Sequence, residues 1–444
     1  MDLARRLGGW AVLSLAIVLC VAPARGAEAP RVSIHVGATE RICQLTGEFD
    51  WETNRPTAAR TESRFGLEAV DLGFPVEHRG RLFFLFGDAW PTPPGPVQWV
   101  PNDGVGVTSR VEPPDPEHCL DLVVNSKLVG FKNVYRPATI IGPKKVKQGA
   151  FNVPTGGVSV QDSLYAFFWT DHCVFPNLLL PSPDQPLELP PATRRCPEAE
   201  GNNSVGRGVM ARSVDGGRTF TDVVPMPQGF VYSMAVNTNL IPGLPAEQRR
   251  GVLVFGVPRF RASVPYLAFA PEESFADTST WRFFTGLEPD GSPRLVGSAA
   301  WRPSRANQIY QPLFEAGNNV GELSMTWNRP LHLWIMMYDG VAMRVARAPW
   351  GPWSAPATVL GAEALEGCKL VMAPHGCPGH RDYWPALRRG DDFEQGHFYA
   401  PFVLNRYTSP GEEPNSTTLY WLLSTWNPYQ VSVMRTTIRA EGNR

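Results

Sequence analysis

An excess of charge of either sign is missing from this 444-residue chain: 41 lysines and arginines stand against 42 aspartates and glutamates. Without a basic excess the surface has no special electrostatic attraction for phosphate backbones or anionic lipid, which argues against nucleic acid or a charged membrane as partner. Beyond residue 26 no apolar run is long enough to span a bilayer. No long stretch carries the 3.6-residue apolar period of an amphipathic helix. Neither G-x-S-x-G nor H-E-x-x-H occurs, so the commonest esterase and metalloprotease signatures are absent. The sequence implies no cofactor and no metal centre, and says nothing about structural calcium.

What is present begins with a leader. Arg5 and Arg6 precede an apolar run from Trp10 to Val21, followed by the small residues Ala22, Ala24, Gly26 and Ala27. This is the pattern of a secretory signal peptide over residues 1–26, with cleavage after Gly26. A lipid anchor on Cys20 is the alternative, disfavoured by Leu19 where a small residue is usual. The expected location is secreted or periplasmic. The remaining 38 basic and 41 acidic residues give a net charge of −3, since Arg5, Arg6, Arg25 and Asp2 leave with the leader.

Six of the seven cysteines remain: Cys43, Cys119, Cys173, Cys196, Cys368 and Cys377. An even number in an exported chain points to disulfides, although six thiols allow fifteen connectivities. Proximity favours Cys173–Cys196 and Cys368–Cys377, leaving Cys43–Cys119 to tie an N-terminal arm, residues 27–60, to the body. His375 and His380 flank Cys377 in a way that resembles a metal cluster, but no second thiol stands at zinc spacing, so a disulfide-closed loop is the better reading.

The body is rich in 44 prolines, 41 glycines, 23 phenylalanines, 14 tryptophans and 11 tyrosines, the composition of short strands joined by many loops. AVDLGFPVEHRGRLFFLFGDAW, residues 69–90, reads as a β-hairpin. NVPTGGVSVQDSLYAFFWTD repeats it with a turn at Gln161-Asp162-Ser163, and GELSMTWNRPLHLWIMMYDG repeats it again with a turn near Arg329-Pro330. GHFYAPFVLNRYT with TTLYWLLSTW forms a fourth, and RGVLVFGV with ASVPYLAFA a further hairpin between. Aromatic hairpins recurring through a chain of this length predict one all-β domain, a β-propeller over residues 61–440. A monomer is expected. ARSVDGGRTF, residues 211–220, has the S-x-D-x-G-x-T-F pattern of the Asp-box turn of sialidase-like propellers, which makes Asp215 structural.

The first hairpin carries the sharpest functional signal. A turn centred on Arg79 and Gly80 sets Asp71 opposite Asp88, and directly opposed residues have Cβ atoms about 4.5–5.5 Å apart on one face. Carboxylates that close split their pKa values, leaving one an acid and the other a base or nucleophile, the division of labour that glycoside cleavage uses. Asp171, Glu322 and Asp339 occupy similar hairpin ends, where a propeller would gather them around its axis. Aspartates at strand ends also serve as turn caps. Trp90, Trp99 and Trp169 are candidates to stack on sugar faces. Arg261 and Tyr429 are candidates to hydrogen-bond sugar hydroxyls, or to link blades.

The strings VDLGFPVEHRGRLFFLFGDAW, RFRASVPYLAFA, VGELSMTWN, APWGPWS and LSTWNPYQVSVMR, spread from about residue 64 to residue 437, resemble those of domain-of-unknown-function family 4185 (DUF4185). The resemblance implies a five-bladed β-propeller. Some members of that family are endo-D-arabinanases that cut the D-arabinan of mycobacterial cell walls, so the implied partner is a polysaccharide or cell-wall glycan. It further implies that Asp71 and Asp88 match the family's paired aspartates, and that Glu322 matches a further acidic position. Function belongs to the site rather than to the fold. The excursion LLLPSPDQPLELPPATRRC is expected to form a loop over the second blade and shape the cleft. A non-catalytic carbohydrate-binding or adhesion propeller is the alternative.

Overall fold

The computed structural model describes residues 32–91, 102–124, 152–170, 207–258 apart from 228 and 240, 264–297, 311–314, 320–380, and 388–441 apart from 390, 391 and 394. The chain from Arg31 onward is one compact unit. Its five blades follow one another along the sequence, each an antiparallel sheet that begins with its innermost strand.

Strand β1 (Ser33–Gln44) is followed by the short helix α1 (Thr61–Phe65). The first blade is β2 (Leu67–His78), β3 (Arg81–Pro91), β4 (Asn102–Thr108) and β5 (Val123–Val124). The second is β6 (Asn152–Val160), β7 (Ser163–Thr170), β8 (Arg207–Ser213) and β9 (Thr221–Pro225). The third is β10 (Tyr232–Asn237), β11 (Gly251–Val257), β12 (Tyr266–Pro271), β13 (Arg282–Leu287) and β14 (Pro293–Gly297). The fourth is β15 (Leu323–Asn328), β16 (Leu333–Tyr338), β17 (Ala342–Ala346) and β18 (Ala357–Thr358). A two-stranded ribbon, β19 (Arg388–Arg389) with β20 (Asp392–Phe393), precedes the fifth blade. That blade is β21 (His397–Val403), β22 (Ser409–Pro410), β23 (Ser416–Trp426) and β24 (Gln430–Glu441), and β1 pairs with β24 as its outermost strand.

The two chain ends therefore share one sheet, and the ring is closed by backbone hydrogen bonds between them. The expected Cys43–Cys119 disulfide forms and joins the end of β1 to the segment after β4, so it staples the fifth blade to the first. Cys368 pairs with Cys377 as expected. Cys173 and Cys196 lie outside the described residues.

Blades stack face to face, so their middle strands are buried on both faces and read as unbroken apolar runs rather than as alternating ones. Every residue of β11 (GVLVFGV) and of β16 (LWIMMY) is buried. Aromatic pairs fill the layers: Phe74 meets Phe402 edge-on at 5.0 Å between the first and fifth blades, and Phe255 meets Trp334 at 6.3 Å between the third and fourth. Polar contacts fix the angle between blades. His78 Nδ1 and Ser159 Oγ lie 2.8 Å apart between the first and second, and Thr155 Oγ1 donates to the Ser233 carbonyl at 2.9 Å between the second and third.

The Asp-box folds as its sequence predicts. Asp215 accepts from the Ser213 hydroxyl at 2.8 Å, from the Arg218 and Thr219 backbone N–H groups at 3.0 Å each, and from the Thr219 hydroxyl at 2.7 Å. It makes the turn between β8 and β9, in the outer half of the second blade, and Phe220 anchors it in the core.

Candidate active site at the mouth of the channel

The innermost strands β2, β6, β10, β15 and β21 pack in sequence around the axis. Since each blade enters at its innermost strand, the N-terminal ends of these five strands gather at one mouth of the channel. Asp71, Glu322 and Tyr399 belong to that end.

The β2–β3 hairpin starts in the register that the sequence predicts, with His78 opposite Arg81 and Phe74 opposite Leu85. It does not keep it. Gly73 is an extra residue on β2, so Leu72 pairs with Phe86 and Asp71 pairs with Gly87 rather than with Asp88. Leu72 and Gly73 both take left-handed backbone, φ 61° and 79°, as a bulge requires. A Cβ on Gly73 would lie 2.8 Å from the Phe86 ring, so the bulge depends on glycine for space as well as for torsion. A second bulge sits on β3. Between the pairs Ala69–Trp90 and Asp71–Gly87, Asp88 and Ala89 together face Val70. The β4 side agrees, since Gly87 and Asp88 together span Asp103 between the pairs Phe86–Gly104 and Ala89–Asn102. Asp88 is thus the bulged position of β3, diagonal to Asp71. Counting residues from the turn could not show this.

Asp71 is buried, with 5% of its surface exposed, and its partner comes from the fifth blade: the Tyr399 hydroxyl donates to Asp71 Oδ2 at 2.7 Å. The backbone around it is pinned to the same blade. The Leu72 N–H donates to Ser424 Oγ at 2.8 Å, and the Val70 N–H to the Tyr429 carbonyl at 3.1 Å. Tyr399 is the third residue of β21, which bulges next, with Ala400 at φ 52°. The Ala400 N–H donates to Asp339 Oδ1 at 3.2 Å. Two consecutive residues of β21 therefore link Asp71 of the first blade to Asp339 of the fourth. Asp339 follows β16, and continuing the Leu323–Tyr338 register sets it opposite Glu322, which is only 2% exposed.

Beside Tyr399 stands a row of rings. His397 stacks on Trp426 with centroids 6.1 Å apart and is tilted against Tyr399 at 5.8 Å, while Trp426 meets Tyr429 edge-on at 5.4 Å. Tyr429 is buried behind this row, whereas His397 is exposed. On the neighbouring β2, burial and then the nearby Glu62 carboxylate hold the Glu68 carboxyl above its ordinary value. The Asp71 carboxyl held by a phenol, acids on the first and fourth blades with the fifth between them, and a partly open aromatic row can together position a polar ring and move a proton beside it.

Four residues here escape a reading of the sequence. Tyr399 and His397 share one face of β21 by their i, i+2 spacing, a signal present in GHFYAPF; Trp426 is within LSTWNPY; and Asp103, 6% exposed, is the second residue of β4, beside the β3 bulge. Trp169 is half-buried near the end of β7, paired with Val153 and Gly208. For Asp88 and Trp90 the backbone alone is described, and Trp99, Asp171 and Arg261 lie outside the described residues.

Among solved structures, a protein of unknown function from Dyadobacter fermentans is similar over 92% of this chain and 99% of its own, at 8% identity and TM-score 0.38. A xylan beta-1,4-xylosidase from Bacillus halodurans is similar over 86% of this chain and 54% of its own, at 8% identity and TM-score 0.32. A glycosyl hydrolase from Bacteroides ovatus is similar over 83% of this chain and 84% of its own, at 10% identity and TM-score 0.36. Likeness at that level carries no weight for activity. No curated protein matches the chain. The family model described as Domain of unknown function (DUF4185) matches residues 200–435, which is more than half of the sequence, and the chain belongs to that family.

Proposed function

We propose that this protein is a glycoside hydrolase that works at the Asp71 end of the channel, on a furanosidic polysaccharide such as D-arabinan. The observation that carries the reading is the buried Asp71 carboxylate held by the Tyr399 phenol where the innermost strands begin. In this reading Asp71, held in place by the phenol, is the base or nucleophile. Asp88, on the facing bulge, is the acid that protonates the leaving oxygen. Water then completes the cleavage, giving up its proton to a carboxylate and its oxygen to the anomeric carbon. Glu322 and Asp339 shape the polar wall opposite. Trp90, Trp99 and Trp169 are proposed to stack on sugar rings, with Asp171 and Arg261 toward hydroxyls, while the buried Tyr429 backs the aromatic row.

A leader over residues 1–26, a secreted or periplasmic location and a monomeric state complete the proposal. Two disulfides suit an oxidising compartment. No helix among the described residues is long and apolar enough to cross a membrane.

The test is product chromatography after incubation with a polysaccharide panel that includes arabinogalactan, for the parent protein and for Asp71→Asn and Asp88→Asn. Each single variant should abolish turnover while keeping binding, and the double variant should be little worse, because groups that act in one step lose activity non-additively. Near-normal hydrolysis by both single variants would remove the assignment and make Glu322 with Asp339 the next pair. The His397–Trp426 row favours a second reading, a carbohydrate-binding propeller without catalysis. Saturable binding with no product from any member of the panel is the outcome that selects it.

A further inference from the structure

The far mouth of the channel holds a cleft. β10 and β15 are innermost strands of adjoining blades, and both run away from the end that holds Glu322. Six residues of β15 at about 3.3 Å each carry the chain roughly 20 Å. There the loop over residues 238–250 and the loop over residues 329–332 face each other across a cleft of about 690 Å³, lined by Asn239, Ile241, Arg249, Trp327, Arg329 and His332 among others. That volume lies within the roughly 300–1,000 Å³ range of small-ligand sites.

The charge in the cleft is one-sided. Arg249 and Arg329 are both exposed, and among the described residues neither guanidinium meets a carboxylate. Arg249 Nε donates to the Leu244 carbonyl at 3.1 Å, which fixes the stem and leaves the terminal nitrogens to solvent. Arg329 is held through its loop. Asn328 is fully buried, its Nδ2 donates to Thr417 Oγ1 at 3.2 Å, and its Oδ1 accepts the Leu331 N–H at 2.9 Å. His332 takes left-handed backbone at φ 52° in the same loop. Trp327 lines the same cleft, its ring braced edge-on by Trp334 at 5.8 Å and met by His332 at 6.3 Å. A site whose side chains are already ordered binds with less entropic cost.

We propose that this cleft binds an anionic saccharide, with the sugar ring against Trp327 and its carboxylate or phosphate between Arg249 and Arg329. A guanidinium fork matches the paired oxygens of either group, and an indole face suits the apolar face of a sugar ring. The site is separate from Asp71 and does not rest on hydrolysis there.

Calorimetric titration of the full mature chain tests it with three probes: digalacturonate, galactose 6-phosphate and neutral galactobiose. Saturable binding of at least one anionic probe is expected, about tenfold or more tighter than galactobiose, and weakening several-fold as salt is raised from about 50 to about 500 mM. The stronger of the two anions identifies a carboxylate or a phosphate as the preferred group. Arg249→Gln with Arg329→Gln should weaken that binding at least about tenfold with the melting temperature unchanged, since both side chains are exposed. Asp71→Asn should bind as the parent does. The proposal is overturned if galactobiose matches both anions, if neither anion saturates, if the double variant binds normally, or if Asp71→Asn removes the binding and so locates it in the channel.

Discussion

The ring closes on itself at one seam, and the Cys43–Cys119 disulfide should be worth more than its counterpart at Cys368–Cys377. The first bridges 76 residues and the second 9. In the chain-entropy account a cross-link removes about 2.1 + 1.5R ln n cal/mol/K from the unfolded chain, which gives about 4.5 kcal/mol for the long loop and about 2.5 kcal/mol for the short one at 25 °C. A propeller of roughly 400 residues has an unfolding entropy of about 0.85 kcal/mol/K, so the expected losses in melting temperature are about 5 °C and about 3 °C. Cys43→Ala with Cys119→Ala is the perturbation, because both sulfurs are buried and serine would bury a hydroxyl there. The variant should still fold: Arg406 keeps its ion pair with Glu77, and the Tyr407 hydroxyl still donates to the Arg110 carbonyl at 3.0 Å across the same seam. Calorimetry at one scan rate would compare it with Cys368→Ala/Cys377→Ala, since an irreversible transition makes melting rate-dependent. A seam variant that melts no lower than the short-loop variant refutes the reasoning, and would mean that β1–β24 pairing alone closes the ring.

Tyr399→Phe should lower kcat by about 10-fold to 150-fold with little change in KM, the loss of a hydrogen bond to a charged group worth about 1.5–3 kcal/mol; steady-state kinetics on a cleaved substrate would check it. Gly73→Ala should destabilise by about 2–4 kcal/mol in denaturant titration, through positive φ and contact with Phe86, and an unchanged midpoint would show that the bulge is not needed. Burial first, and then the neighbouring Arg79 guanidinium, hold His78 below its ordinary value of 6.5, so the folded state favours the neutral ring. Its contribution is therefore complete above that value and declines as pH falls through the lowered one, a slope that His78→Gln should flatten in denaturation midpoints measured across pH 4–8.

What the sequence determined by itself was local. Hairpins at residues 69–90, 152–170 and 321–340 were legible because a strand pair joined by a short turn writes its pattern into neighbouring residues, and the Asp-box because its bonds reach at most four residues from Asp215. The six aromatic and aliphatic residues of β16 announced burial on both faces in the same way. β10 gave no such sign, since the loop over residues 238–250 separates it from β11 and hides the hairpin. The bulges at Gly73 and Asp88 were also invisible, and they moved Asp71 from Asp88 to Gly87. Pairing by count assumes an unbroken ladder, and a single extra residue shifts every partner beyond it. Only the closed ring could bring Tyr399 to Asp71 across 328 residues, or seat β1 on β24, because contacts between blades depend on the packing of whole sheets and leave no periodic trace in the chain.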